Sequence, residues 1–202
     1  MKLVLATQNK NKVIEIKKLF EENNLNQMYE IYSLNDLEVY DEVEEDGKTL
    51  EENAYKKAKG YFDILKTKKI NDFMVIADDT GLFVEALNGA PGIYAARYAG
   101  ENVTYLDNRL KLLKELKGIE NRNAYFATAV CMVSGDLVKY FHGKTTGRIL
   151  KKNVGKNGFG YDAIFYSNEL KKSFGVATTE EKGKISHRGK AINEFINFLK
   201  IR

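Results

Sequence analysis

Residues 3–20, LVLATQNKNKVIEIKKLF, decide the fold class. Leu3-Val4-Leu5-Ala6 is a short apolar run of buried-strand type. Val13, Ile16, Leu19 and Phe20 then recur at close to the 3.6-residue period of an amphipathic helix. The unit reads strand, polar turn, helix. Working outward, Met28–Ser33 is a second strand, and an acidic loop follows. Thr49-Leu50-Glu51-Glu52 fits a capping box that opens a helix running to about Leu65. Phe73–Ala77 is the next apolar strand, ending at Asp78-Asp79-Thr80-Gly81. Beyond a turn-rich segment with the only proline, Pro91, a helix is marked by Leu106, Leu110 and Leu113. Residues 124–133 and 137–142 flank Ser134-Gly135-Asp136, a hairpin signature. Ile192, Phe195, Ile196 and Leu199 form the buried face of a last helix that begins near Ser186. Strands and helices alternate early and a hairpin follows, which predicts an α/β fold with a mixed sheet rather than a doubly wound one.

The chain has 202 residues with no repeat or linker, so residues 1–202 read as one domain. Hydrophobic residues at 44% and charged residues at 30% are ordinary globular composition. No apolar stretch approaches the roughly 20 residues that span a bilayer, and the start lacks a signal peptide's apolar region. No membrane partner is expected. A lone cysteine, Cys131, excludes an internal disulfide and fits a reducing, cytoplasmic setting. The net charge of +4 does not demand a nucleic-acid partner. Charge is nonetheless segregated: residues 36–52 hold nine carboxylates and one lysine, and residues 143–160 hold four lysines, one arginine and no carboxylate. An acidic metal loop with a basic phosphate loop would look like this, as would an ordinary solvated surface.

Five segments have the residue types for chemistry. Thr7-Gln8-Asn9-Lys10-Asn11-Lys12 lies at a helix start, where free backbone amides and partial positive charge suit a phosphate; Thr or Asn there also serves as a plain cap. Asp78-Asp79-Thr80-Gly81 stands at a strand's C-terminal end, where α/β sheets place ligand groups. Side chains alternate along a strand, so one aspartate of the pair suffices to face a ligand. Glu44-Glu45-Asp46-Gly47 with Glu51-Glu52-Asn53 offers carboxylates of the kind Mg²⁺ takes one or two of, beside waters and phosphate oxygens. Asn157-Gly158-Phe159-Gly160-Tyr161-Asp162 combines close backbone approach with a stacking ring, or is a glycine turn with a core aromatic. Ser186-His187-Arg188, preceded by Glu180-Glu181-Lys182, supplies donors at a helix start.

Taken in order, these segments resemble the inosine triphosphate pyrophosphatase family, which acts on non-canonical purine nucleoside triphosphates. LATQNKNK, EEDGKTLEENAYKKA, VIADDTGLFVEALNGAPGIYAARYAG, NGFGYDAIF and TTEEKGKISHRGKA carry the resemblance, from Leu5 to the last helix. Thr80 stands where the family often has serine, and Gln8 and Asn157 where glycine is frequent. The resemblance implies an elongated mixed sheet flanked by helices, with two lobes and an active-site cleft between them. It implies hydrolysis of ITP, dITP or XTP to the monophosphate and pyrophosphate, with Mg²⁺ as cofactor, usually in a homodimer. Thr7, Gln8, Asn9, Lys10, Asn11 and Lys12 would hold the triphosphate. Glu44 and Asp79 would bind the metal, and Asp79 would also act as base toward the attacking water. Lys57 would reach phosphate or that water. Thr80, Phe159, Gly160, Tyr161, Asp162, Lys182, His187 and Arg188 would surround the nucleotide.

Three other readings compete. Release of the terminal phosphate is disfavoured because no G-x-x-x-x-G-K-[ST] loop occurs. An RNA-binding module would use Lys151, Lys152 and Lys156 with Phe159 and Tyr161, and would show steep salt dependence. A sister pyrophosphatase family acts on pyrimidine or modified nucleotides.

Overall fold

A computed structural model describes residues 1–201. The opening unit is as expected: strand β1 (Lys2–Leu5) turns into helix α1 (Lys10–Glu22). Asn9 caps α1, its Oδ1 accepting from the amides of Asn11 at 3.0 Å and Lys12 at 3.5 Å. Strand β2 (Glu30–Ser33) and helix α2 (Leu50–Thr67) follow, with Thr49 as N-cap of α2. Then come β3 (Phe73–Val84), the two-residue β4 (Pro91–Gly92) and helix α3 (Tyr105–Glu115). The hairpin β5 (Asn123–Ser134) and β6 (Leu137–Ile149) is present, with Gly135 at φ +61 in its turn. Strands β7 (Phe165–Ser167) and β8 (Lys172–Ser173) precede helices α4 (Thr179–Ile185) and α5 (His187–Ile201).

Among the described residues, one eight-stranded sheet holds the strands in the order β2-β1-β3-β5-β6-β7-β8 with β4 paired to β3. β1 is parallel to both β2 and β3, whereas β3–β4, β6–β7 and β7–β8 are antiparallel. The sheet is mixed and flanked by helices, as the alternation and the hairpin predict. No helix among the described residues is long and apolar enough to cross a membrane.

Two strands are longer than their apolar runs. β3 does not end at Ala77 but continues through Asp78-Asp79-Thr80-Gly81 to Val84. The expected turn is extended strand because its carboxylates have partners in the helices. Gly81 permits it sterically: a Cβ there would stand 2.9 Å from the Gly92 carbonyl oxygen and 2.6 Å from the Phe83 ring. β6 continues past His142 to Ile149, and its inward positions from residue 141 are Phe141, Gly143, Thr145, Gly147 and Ile149. Glycine and threonine at inward positions hide the period-2 hydrophobic signal.

The chain packs as two compact units interleaved in sequence. The first comprises residues 1–79, 128–142 and the last helix from Ala191. Its core gathers Leu3, Leu5, Ile16, Phe20, Met74, Ile76, Met132 and Phe195, all nearly solvent-free. Cys131 on β5 is buried, as expected of a small core residue, and burial pushes its thiol up to about 12. The second unit comprises residues 80–127 and 143–190. Its core holds Leu82, Leu112, Phe126, Ile149, Tyr161, Phe165 and Phe174.

A Cβ on Gly147 would lie 2.1 Å from the Tyr166 carbonyl oxygen, so β6 and β7 meet there without room for a side chain. Gly147→Ala should therefore destabilise the protein by about 1–3 kcal/mol. Urea midpoints measure this, and a midpoint equal to wild type would contradict the close approach.

Candidate active site

In the first unit, α2 supplies the organising side chains. Its buried stripe includes Ala54, Ala58 and Leu65, yet Asn53 and Lys57 occupy the same face four residues apart. Asn53 joins two segments: its Oδ1 accepts the Gly47 amide at 2.8 Å, and its Nδ2 donates to Asp79 Oδ2 at 3.2 Å. The acidic loop is thereby pinned to α2, with Lys48 N donating to Glu52 Oε2 at 2.6 Å and Lys56 paired with Asp46. Gly47 has no room for a side chain, since a Cβ would meet Asn53 Oδ1 at 2.6 Å.

Lys57 Nζ lies 2.7 Å from Glu45 Oε2 and 3.7 Å from Asp79 Oδ1. Lys12 Nζ lies 2.9 Å from Asp78 Oδ2, whose side chain is 2% exposed. The pleat of β3 thus sends one aspartate to a lysine of α1 and the next to the Asn53–Lys57 face of α2. Burial is the largest influence on Asp79 and lifts its carboxyl above the ordinary range, against the opposing charges of Lys57 and Lys12. Burial works against the Lys57 ammonium too, but Asp79, Glu45 and Asp78 outweigh it and hold the proton more firmly than usual.

Several expected residues are placed differently from a simple ligand roll. Glu44 is exposed, and the residue brought to Lys57 and Asp79 is its neighbour Glu45. A one-residue step in an irregular loop reverses which side chain points inward, and nothing in the EED spelling reveals the phase. Among the described residues, no three or more His, Cys, Asp or Glu side chains cluster as a ready metal cage. In the first polar segment, Thr7 Oγ1 accepts the Asn9 amide at 3.2 Å and Asn9 closes the helix start, while Gln8, Lys10 and Asn11 are exposed. The amides of Asn11 and Lys12 are thus engaged by a cap. Asn53 and Glu45 both lie in the acidic segment, but the resemblance gives neither of them a role. The polar interruption of an apolar helical stripe was the available signal for Asn53.

The second unit assembles the other expected residues around Asp162. Its Oδ2 accepts from Lys182 Nζ at 2.8 Å and from the Phe159 amide at 2.8 Å. Asp162 and Lys182 are almost solvent-free, with side chains 7% and 6% exposed. Gly158, at φ +73, leaves space for that carboxylate: a Cβ would stand 2.0 Å from Asp162 Oδ2. Lys182 comes from α4, opened by a Thr178–Glu181 capping box, and His187 and Arg188 come from the start of α5. The two helices approach closely at Gly189, where a Cβ would meet the Gly183 oxygen at 2.2 Å.

Lys182 Nζ and the Arg188 guanidinium lie 5.4 Å and 5.5 Å from the Phe159 ring centroid, within cation–π range. Arg188 Nη2 donates to Thr80 Oγ1 at 3.2 Å. His187 stacks on Phe126 at 4.4 Å and 16°. Tyr161 is a core ring whose hydroxyl donates to the Ala95 carbonyl at 2.8 Å, and Gly160 holds φ +58 in the turn. Chemically, this is a half-buried aromatic face edged by cationic donors, suited to a flat heterocycle bearing acceptor oxygens.

Breaking the Asp162–Lys182 pair from one side leaves a buried carboxylate uncompensated. Lys182→Met should cost about 3–5 kcal/mol in stability, and adding Asp162→Asn should restore most of it. Equal urea midpoints for the single and double variants would refute this account of the pair.

The comparisons with known proteins agree over the whole length. A dITP/XTP pyrophosphatase of Thermoanaerobacter pseudethanolicus is 49% identical over 201 residues, covering 98% of this chain and 96% of that protein. Among solved structures, the Ham1 protein of Staphylococcus aureus superposes with a TM-score of 0.82 at 41% identity, covering 99% of this chain and 98% of that one. A HAM1 protein from Coxiella burnetii superposes at 0.85 with 32% identity, covering both chains fully. The Ham1 family profile matches residues 3–198, and the chain belongs to that family.

Proposed function

We propose that the protein hydrolyses non-canonical purine nucleoside triphosphates of the dITP and XTP type, releasing the monophosphate and pyrophosphate. The observation that carries this reading is the Asp79 carboxylate, 13% exposed, braced by Asn53 and flanked by Lys57, in a chain 49% identical to a dITP/XTP pyrophosphatase. Water must attack the α-phosphorus against the charge of a triphosphate, so cations come first. The ammonium groups of Lys10 and Lys12 and the hydroxyl of Thr7 would receive the phosphate chain, with Gln8, Asn9 and Asn11 as further polar contacts. A carboxyl whose proton affinity is raised by burial is better matched to accepting a proton from water near neutral pH, which favours Asp79 as base. Lys57, held charged, would orient phosphate or that water.

A divalent cation fits these residues. Burial leaves Asp79 short of compensating positive charge, and Glu45 offers a second carboxylate one lysine away. Asp79 and Glu44 would hold Mg²⁺, which supplies charge neutralisation and a more acidic water when bound, with Glu45, paired to Lys57 at 2.7 Å, beside them. The base would rest on Phe159, with Lys182, His187, Arg188 and Thr80 at its edge. Hypoxanthine and xanthine carry an acceptor at the 6-position, whereas adenine carries an amino donor. Adenine would set donor against donor beside Lys182 and Arg188, a mismatch that a desolvated site rejects strongly.

A panel of ITP, dITP, XTP, ATP and pyrimidine triphosphates, with Mg²⁺ or with chelator, tests the reading. Pyrophosphate should appear from ITP, dITP and XTP, far less from ATP, and almost none with chelator. Orthophosphate as the first product would overturn it, and a pyrimidine preference would transfer the chain to the sister activity. Asp79→Asn should abolish nearly all turnover without lowering the melting temperature, because the ionised carboxylate is disfavoured by its burial. Retained turnover in that variant would remove Asp79 from the reaction.

A further inference from the structure

Arg109 sits on α3, in a part of the chain to which the motif reading assigned no chemistry. Its Nη1 donates to the Gly160 carbonyl at 2.6 Å across 51 residues of sequence. Its Nε is buried without a hydrogen-bond partner. Burying that donor unpaired costs about 1–3 kcal/mol, and a leucine would pack an amphipathic helix without it. An arginine kept under this handicap is explained by the single bond it makes.

That bond falls on the turn that closes an exposed loop and that Asp162 holds from the other side through the Phe159 amide. Residues 151–158 are exposed without interruption, and a cavity of about 610 Å³ lies behind the loop, lined by Arg109, Asn153, Lys156, Asn157 and Phe159 among others. The loop is tied at its start through Val154, whose amide bonds the Ala163 carbonyl at 2.7 Å and whose carbonyl accepts from Ser173 Oγ at 2.9 Å. Asn157 bonds the Gly175 and Ala177 carbonyls at 2.8 Å and 3.1 Å, and Phe159 N bonds Asp162. Arg109 provides the tie from α3. One helical turn earlier, Tyr105 packs its ring 5.9 Å from Phe159 at 43°. The i and i+4 side chains of one helix therefore grip Phe159 and Gly160 together. α3 is itself anchored: Asn108 accepts the Ala99 amide at 2.7 Å and donates to the Ala96 carbonyl at 2.9 Å, and Thr104 with Asp107 forms a capping box.

We infer that Arg109 is a positioning residue for base recognition, holding the Phe159–Gly160 turn so that the ring presents a fixed face to the purine. This rests on the proposed use of Phe159 as the base platform. Arg109 gives its hydrogen bond to Gly160 and none to Lys10, Lys12 or Asp79, so its loss should weaken base binding and spare the chemistry.

The test uses the full chain with Arg109→Leu and Arg109→Lys. Arg109→Leu should raise KM for ITP about tenfold, the worth of one charge-assisted hydrogen bond, with kcat within about twofold. Inhibition by inorganic tripolyphosphate, which lacks a base, should be unchanged, and Arg109→Lys should recover part of the loss. Backbone hydrogen exchange at residues 158–161 should accelerate in Arg109→Leu whatever the substrate proves to be. Unchanged exchange, or unchanged KM in a variant with faster exchange, overturns the inference. A fall in kcat with weaker tripolyphosphate inhibition would do so as well. Absence of ITP turnover in the wild type would instead overturn the proposed function, while the exchange result would still decide whether Arg109 holds the turn.

Discussion

Two adjacent aspartates in one strand, Asp78 buried and Asp79 largely so, constrain the first unit more than any other feature. Removing a carboxylate from water is expensive unless a cation or donor meets it, and two such groups in succession repel one another. β3 resolves this by its pleat: Asp78 goes to Lys12 on α1, and Asp79 to Asn53 and Lys57 on α2. These partners permit an apolar strand to continue through charged residues and oblige both helices to bring polar groups to their buried faces. Compensation is complete enough to fold and incomplete enough to leave Asp79 with raised proton affinity. That residual imbalance is what a reactive carboxylate requires.

The second unit uses one carboxylate in a different manner. Asp162 is a hub whose single oxygen fixes a lysine from α4 and the amide that begins the Phe159 turn. Gly158 and Gly189 are needed less for flexibility than for absence of volume, since each stands where a Cβ would collide with an oxygen. Lys182 and Arg188 thereby converge on the Phe159 ring. A donor edge beside a half-buried ring discriminates by what it cannot pair with, which is the basis of the proposed selectivity.

The order of the main elements was legible because alternation and caps are local, whereas the short β4, β7, β8 and α4 carry no comparable apolar period. Thr49, the hairpin around Gly135 and the apolar stripe of the last helix are each visible within a few residues. The full lengths of β3 and β6 were not. β3 looks terminated by charge until its partners from α1 and α2 are present, and β6 buries Gly143, Thr145 and Gly147, residues with no hydrophobic signature. Glu45 was hidden for another reason: in an irregular loop no period assigns inward and outward positions, so Glu44 and Glu45 read alike. Asn53 carried a signal, a carboxamide on a buried stripe, that points to a polar neighbour without naming it.

Residue types within short segments determined the mixed α/β class, the family resemblance and most of the candidate side chains, because periodicity and turn chemistry act over a few residues. Tertiary structure alone decided which carboxylate of the acidic loop reaches Lys57, why Asp78 and Asp79 part company, and that Arg109 holds a turn 51 residues away. Those outcomes depend on distances between segments remote in sequence. Electrostatic compensation and steric exclusion act through space, and a linear pattern does not encode which remote groups will come within 3 Å.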